Sequence, residues 1–178
     1  MTLTQNNKPP APIQNILLDT NIILYLGNIC LADYLIGYLT EFAKRGFGLA
    51  ISDVTINEAL CNTTKIQEVK IIQTLNLFKT YQIAQNVLIA SSRLSTLYKN
   101  ENIPLSQISL SDKIIASTAI LTGSLILTGD INDFPRPFFN ESEQRLVQYQ
   151  KRNKPQLLVL ELLSPNYPVI VDRLNKRG

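Results

Sequence analysis

Short, unbroken apolar runs alternate along this chain with longer stretches in which apolar residues recur at helical spacing. Ile16-Leu17-Leu18 is apolar throughout and stops at Asp19, as expected of a strand buried on both faces of a parallel sheet. Asp19 or Thr20 can cap a turn beginning at Asn21. Leu31 to Lys44 then carries helical periodicity closed by Gly46. Gly48 to Ile51 predicts a second strand, and Ser52 with Asp53 opens a helix bearing Val54, Ile56, Glu58 and Leu60. Ile66 to Phe78 is amphipathic, Tyr81 to Ala84 predicts a short strand, and Val87 to Tyr98 a further helix. Beyond Pro104, Ser109 to Asp112 starts a helix that runs through Leu121 and stops at Gly123, ahead of a strand at Leu125 to Leu127. Asn132 to Asn140 is rich in turn formers, Leu157 to Leu162 predicts a last strand, and Val169 to Leu174 a terminal helix.

Strands separated by helices imply an α/β fold, a mostly parallel central sheet covered by helices on both faces, because each parallel connection has to cross over. In such a sheet ligands bind beyond the carboxyl ends of the strands. With 178 residues, one domain over residues 15–178 is expected, preceded by a loose polar, proline-rich arm over residues 1–14.

Composition narrows the chemistry more than it narrows the fold. The chain has no histidine, which removes Ser-His-Asp and Cys-His nucleophiles and a histidine general base. Cys30 and Cys61 have no CxxC spacing and sit in apolar contexts, so reduced, buried thiols are expected rather than a zinc site. The formal charge of +3 is compatible with a polyanionic partner without arguing for one. The late basic residues Arg136, Arg145, Lys151, Arg152, Lys154, Arg173, Lys176 and Arg177 read first as a solvated surface. No signal-like stretch stands at the start, and the most apolar run, Ile114 to Leu127, is interrupted by Ser, Thr and Gly. The expectation is a cytoplasmic protein without a membrane segment.

Four acids fall at informative places on this scaffold. Asp19 ends the first strand, Glu58 lies in the helix after the second, Asp112 opens the helix leading to a later strand, and Asp130 follows that strand. Each also has a purely structural explanation. Asp19 can cap a turn, Ser109 with Asp112 can form a capping box, Asp130 or Asp133 can fix the turn before Pro135, and Glu58 can be a helix-surface residue. Yet each is embedded in apolar sequence, and carboxylates gathered in a partly buried site raise one another's pKa unless a cation neutralises them. With oxygen donors alone, magnesium or manganese is the natural occupant, and such ions orient and activate water against a phosphodiester.

The blocks LLDTNIILYL (Leu17 to Leu26), ISDVTINEAL (Ile51 to Leu60), SLSDKIIASTA (Ser109 to Ala119) and LILTGDINDF (Leu125 to Phe134) together resemble the PIN-domain family, which includes the VapC-type toxin ribonucleases. The resemblance covers about Asn15 to Phe134 in order. It implies a metal-dependent endoribonuclease with Mg2+ or Mn2+ at Asp19, Glu58, Asp112 and Asp130, and with Asp133 as an additional acid. It places Asn21 in a supporting role, for which helix-start capping is an equal alternative. It also implies homodimerisation and a cognate antitoxin, and leaves a C-terminal extension after about residue 140. Two rival functions stand beside it: a catalytically weak RNA- or protein-binding module on the same fold, and an aspartyl-nucleophile phosphatase. The second is disfavoured because DTN at Asp19 to Asn21 lacks a second aspartate and no phosphate-cradling glycine loop follows.

Overall fold

The computed structural model describes residues 14–61 and 63–176, so the arm expected over 1–14 falls, but for Gln14, outside the described residues. Strand β1 (Asn15–Leu18) leads at once into helix α1 (Thr20–Leu26), followed by α2 (Ala32–Lys44), β2 (Gly48–Ser52) and α3 (Asp53–Leu60). Helix α4 (Lys65–Leu75), β3 (Lys79–Tyr81), α5 (Gln85–Asn100), α6 (Leu110–Thr122) and β4 (Leu125–Thr128) continue the alternation. The chain then closes with β5 (Phe139–Lys151), β6 (Lys154–Pro165) and α7 (Tyr167–Asn175). No helix among the described residues is long and apolar enough to cross a membrane.

One six-stranded sheet runs in the order β3-β2-β1-β4-β6-β5. The four strands from β3 to β4 are mutually parallel, and β1 sits at their centre, with Leu17 level with Ala50 on one side and Ile126 on the other. Successive side chains of a strand point to opposite faces, and the core divides accordingly. Ile16 and Leu18 pack with Ile22, Leu35, Tyr38 and Phe42 of α1 and α2 on one face. Leu17 packs with Leu97, Tyr98, Ile115 and Ala119 of α5 and α6 on the other. The molecule is thus a three-layer α/β/α sandwich. Gly46 and Gly123, at φ +89 and +67, follow α2 and α6 in the left-handed backbone that lets each helix end cleanly.

The sheet departs from expectation at its far edge. The polar run FNESEQRLVQYQK is a strand of 13 residues, and the final strand starts at Lys154, three residues before the run expected from Leu157. The two form a long antiparallel hairpin, so the sheet is mixed. Its polar outer strand has no unbroken apolar run to betray it, because β5 buries little beyond Phe139 and Val147. The strand expected over Tyr81 to Ala84 forms two residues earlier, pairing Thr80 with Ile51. Both cysteines are exposed, contrary to the buried thiols expected: Cys30 lies in the turn between α1 and α2, and Cys61 caps the end of α3. Several of the late basic residues are tied into ion pairs, Arg136 with Glu141, Arg145 with Glu41, Arg173 with Glu101 and Lys176 with Asp172.

Candidate active site

The loop from β1 to α1 is where the acids begin to gather. Asp19 caps α1, its Oδ1 accepting from the amide of Thr20 at 2.6 Å, and it is only 2 % exposed. Its backbone amide donates to the carbonyl of Leu127 at 3.0 Å, which ties the ends of β1 and β4 together. Oδ2 accepts from Asn21 Nδ2 at 2.6 Å and from the Thr128 hydroxyl at 2.7 Å. Asn21 does more than start a helix, because its Oδ1 also accepts from the amide of Gly129 at 2.9 Å, one residue before Asp130. Its side chain bridges the two strand ends.

Glu58 enters from α3. The Thr20 hydroxyl donates to its Oε2 at 2.6 Å, fixing the half-buried carboxylate against the first residue of α1. Asp112 arrives from α6 as the third residue of a capping box: its Oδ2 accepts from the amide of Ser109 at 2.8 Å, and Ser109 Oγ accepts from the Asp112 amide at 3.1 Å. Asp130, exposed, accepts at Oδ1 from the amide and side chain of Asn132 at 3.1 and 2.9 Å. Asp133 ends the short 3-10 turn that follows.

The capping functions expected as alternatives for Asp19, Asp112 and Asp130 are therefore realised, and the same residues converge electrostatically. Burial pushes the Asp133 carboxyl from its ordinary 3.8 up to about 7, and repulsion from Asp112, Asp130, Asp19 and Glu58 adds to that. Asp133 thus feels the charge of all four other acids. Burial likewise pushes Asp19 up to about 6, against the opposing hydrogen bonds from Thr128 and Thr20, with Asp112 and Glu58 raising it further. This is the behaviour of a cluster short of positive charge.

The donor set and this charge deficit suit a hard divalent cation. Ready-made coordination is a different matter, because among the described residues no three acidic or cysteine side chains already stand as a ligand group. One oxygen of Asp112, of Asp130 and of Glu58 is held by a donor within the protein, which keeps these carboxylates in place without drawing them onto a single point.

Two further residues hold the acids and were not marked as site residues in the sequence. Thr20 and Thr128 hold Glu58 and Asp19 by their hydroxyls. Their position next to an acid, Thr20 directly after Asp19 and Thr128 two residues before Asp130, is the only signal that could have marked them. Glu161 lies opposite Thr128 in β6, is 7 % exposed, accepts from Gln144 at Oε1 and leaves Oε2 without a partner. A cavity of about 370 Å3 between α1 and α4 reaches Glu58 at one end and is walled by Ile23, Leu24, Gly27 and Ile71.

Fold and site together define a class: a three-layer α/β/α domain whose acids collect beyond the carboxyl ends of central parallel strands. No family model matches the chain, and no curated protein does. Sixteen solved chains match it in structure. They include VapBC2 from Rickettsia felis bound to a DNA fragment from their promoter, at 21 % identity and TM-score 0.58 over 68 % of this chain and 91 % of that one. A toxin-antitoxin complex from Klebsiella pneumoniae matches at 26 % and 0.51, over 68 % and 92 % of the two chains. FitAcB from Neisseria gonorrhoeae matches at 22 % and 0.55, over 67 % and 90 %. The chain has the fold of the PIN-domain family.

Proposed function

We propose that this protein is a metal-dependent endoribonuclease and the toxin member of a toxin-antitoxin pair. The observation that carries the catalytic part is the electrostatic coupling of five acids beyond β1 and β4: burial, with repulsion from the neighbouring acids added to it, leaves Asp133 and Asp19 with raised pKa values. Asp19, Asp112 and Asp130 hold the ion most directly. Glu58, anchored by Thr20, completes the group or positions the attacking water, and Asp133 adds charge at its edge. Asn21 and Thr128 hold Asp19 in place. These side chains would hold a magnesium or manganese ion, whose chemistry there would be positive charge against the phosphate oxygens and activation of a water for hydrolysis. The residues themselves orient the ion and keep the strand ends together.

The partner part rests on the solved neighbours, one of which is described as a toxin-antitoxin complex, and on an apolar groove in this chain. The cavity at Glu58 continues through Gly27 and Ile71 to a second, and through Leu26 and Leu77 to a third that ends at Phe78. Leu24, Ile36 and Leu77 are exposed along it. A partner segment lying there would approach the acid pocket at Glu58, as an antitoxin must to block cleavage. The protein acts in the cytoplasm and forms a homodimer in this reading.

A panel of RNAs incubated with magnesium, manganese or chelator, using the native chain and Asp19→Asn, tests the proposal. Cutting is expected only with metal and only in the native chain, while both chains stay folded. Equal activity in the two removes the catalytic assignment. A second reading, a binding module with little catalysis, draws on the absence of a preassembled ligand group among the described residues. RNA binding that is indifferent to chelator, with no cutting in manganese, selects it.

A further inference from the structure

The antiparallel hairpin extends past the end of the sheet on the side where the acids lie. The last pair between β4 and β6 is Thr128 with Glu161, and β5 and β6 stay paired from there out to Lys151 and Lys154. Because β6 runs opposite to β4, its residues before Glu161 continue beyond the carboxyl end of β4, the direction in which Asp130 follows. At about 3.3 Å per residue this arm projects roughly 20 Å past the sheet.

The arm is firmly based and differently charged from the pocket. Val147, Leu158 and Leu160 belong to the core cluster of α1 and α2, and Arg45 joins Glu143 at 2.8 Å. Its tip turns through Arg152 and Asn153 at φ 52 and 59, the two-residue geometry that matches the twist of paired strands. Between Arg145 and Glu161 there is no Asp or Glu. Lys151, Arg152 and Lys154 are exposed, and among the described residues none of them makes an ion pair, whereas four of the other late basic residues do.

Two aromatic rings connect the tip to the acids. Tyr149 shares a strand face with Lys151 and, across the pair, with Lys154. Tyr25 lies at the foot of the arm, where a Cβ on Gly129 would stand 2.8 Å from its ring and 3.4 Å from Leu158. Tyr149, Asp130 and Asp19 all bear electrostatically on the Tyr25 hydroxyl. Asp130, Tyr25, Tyr149 and the basic tip thus succeed one another along one face.

We propose that this face is a binding strip for single-stranded RNA, in which Lys151, Arg152 and Lys154 take backbone phosphates, Tyr149 and Tyr25 take unpaired bases, and the strand continues into the acid pocket. The inference rests on the nuclease reading for the role of the pocket. An acidic pocket repels a polyanion, so affinity has to come from cations placed away from it. Aromatic faces beside a cationic track are how unpaired strands are held without base-specific contacts, and a duplex, with its bases already stacked, cannot use them.

Fluorescence anisotropy of a labelled single-stranded RNA, in chelator and across a salt series, tests the arm without cleavage. The triple variant Lys151→Gln, Arg152→Asn, Lys154→Gln is expected to bind at least tenfold more weakly. Its slope of log affinity against log salt should be shallower by about 2, since each phosphate that a cation neutralises on a single strand adds about 0.7 to the slope. Asparagine at 152 tolerates the left-handed backbone there. Tyr149→Leu, which keeps the apolar packing, should bind several-fold more weakly with the slope unchanged, and a duplex of equal length should be weakened by the triple variant but not by Tyr149→Leu. A triple variant with native affinity and slope, or a native chain that does not bind the single strand, overturns the proposal. A native chain that binds as described yet never cuts RNA in manganese overturns the nuclease reading and leaves the arm intact.

Discussion

The hydroxyl of Thr20 donates to Glu58 Oε2 across 2.6 Å, joining the first residue of α1 to the middle of α3 over a sequence separation of 38. This bond holds an acid of the site that β1 and β4 do not position, since Glu58 comes from the helix that follows β2. Thr20→Val keeps the branched shape and removes the donor. A hydrogen bond to a charged group contributes about 1.5–3 kcal/mol. RNA cleavage is therefore expected to fall about tenfold or more through kcat, with KM little changed, as steady-state kinetics on one RNA would reveal.

The raised carboxyls make metal-free stability depend on pH in a defined direction. Asp19 and Asp133, ordinarily near 3.8, stand at about 6 and about 7 in the folded chain, so between about pH 4 and 7 the folded form holds more protons than the unfolded one. The contribution of these groups is fully present at low pH and declines as pH rises through that window. In chelator, Tm is expected to be higher at pH 5.5 than at pH 8, apart from general acid effects that Asp19→Asn and Asp133→Asn would share. In those two variants the difference should shrink.

Added manganese is expected to reverse the trend. An ion that neutralises the cluster binds best when the acids are ionised, so the rise in Tm on adding it should be several degrees at pH 8 and small at pH 5.5. Calorimetry with and without metal at the two pH values measures this, and an equal rise at both would separate the ion from these carboxyls.

Gly129 has no room for a side chain while Tyr25 keeps its place, a Cβ there meeting the ring at 2.8 Å. Gly129→Ala should displace the ring at a cost of about 1 kcal/mol, in the range of mild overpacking. A lower Tm and a changed tyrosine signal for Tyr25 are the expected readouts.

Cys30 and Cys61 are both exposed. The folded chain should therefore react with two equivalents of a thiol reagent without denaturant, at rates close to those of the unfolded chain. Titration of free thiols checks this directly.

Local order determined much of what the sequence alone conveys. The apolar run before Asp19, the Ser109 capping box, the glycines at 46 and 123 and the alternation of strand and helix are short-range signals, and each formed where the residues placed it, within a few positions at the ends. The candidate acids could be picked out too, because carboxylates in apolar sequence stand out. Their convergence was not, since it depends on β1 lying between β2 and β4, a matter of strand order that no local pattern encodes. The same holds for Thr20 and Thr128, whose partners are 38 and 109 residues away. The hairpin was not legible because β5 is a polar strand at the sheet edge, where pairing with β6 rather than burial makes it a strand. The exposure of the cysteines likewise follows from where turns meet solvent. Burial and long-range pairing are properties of the assembled layers, so only the tertiary structure could decide them.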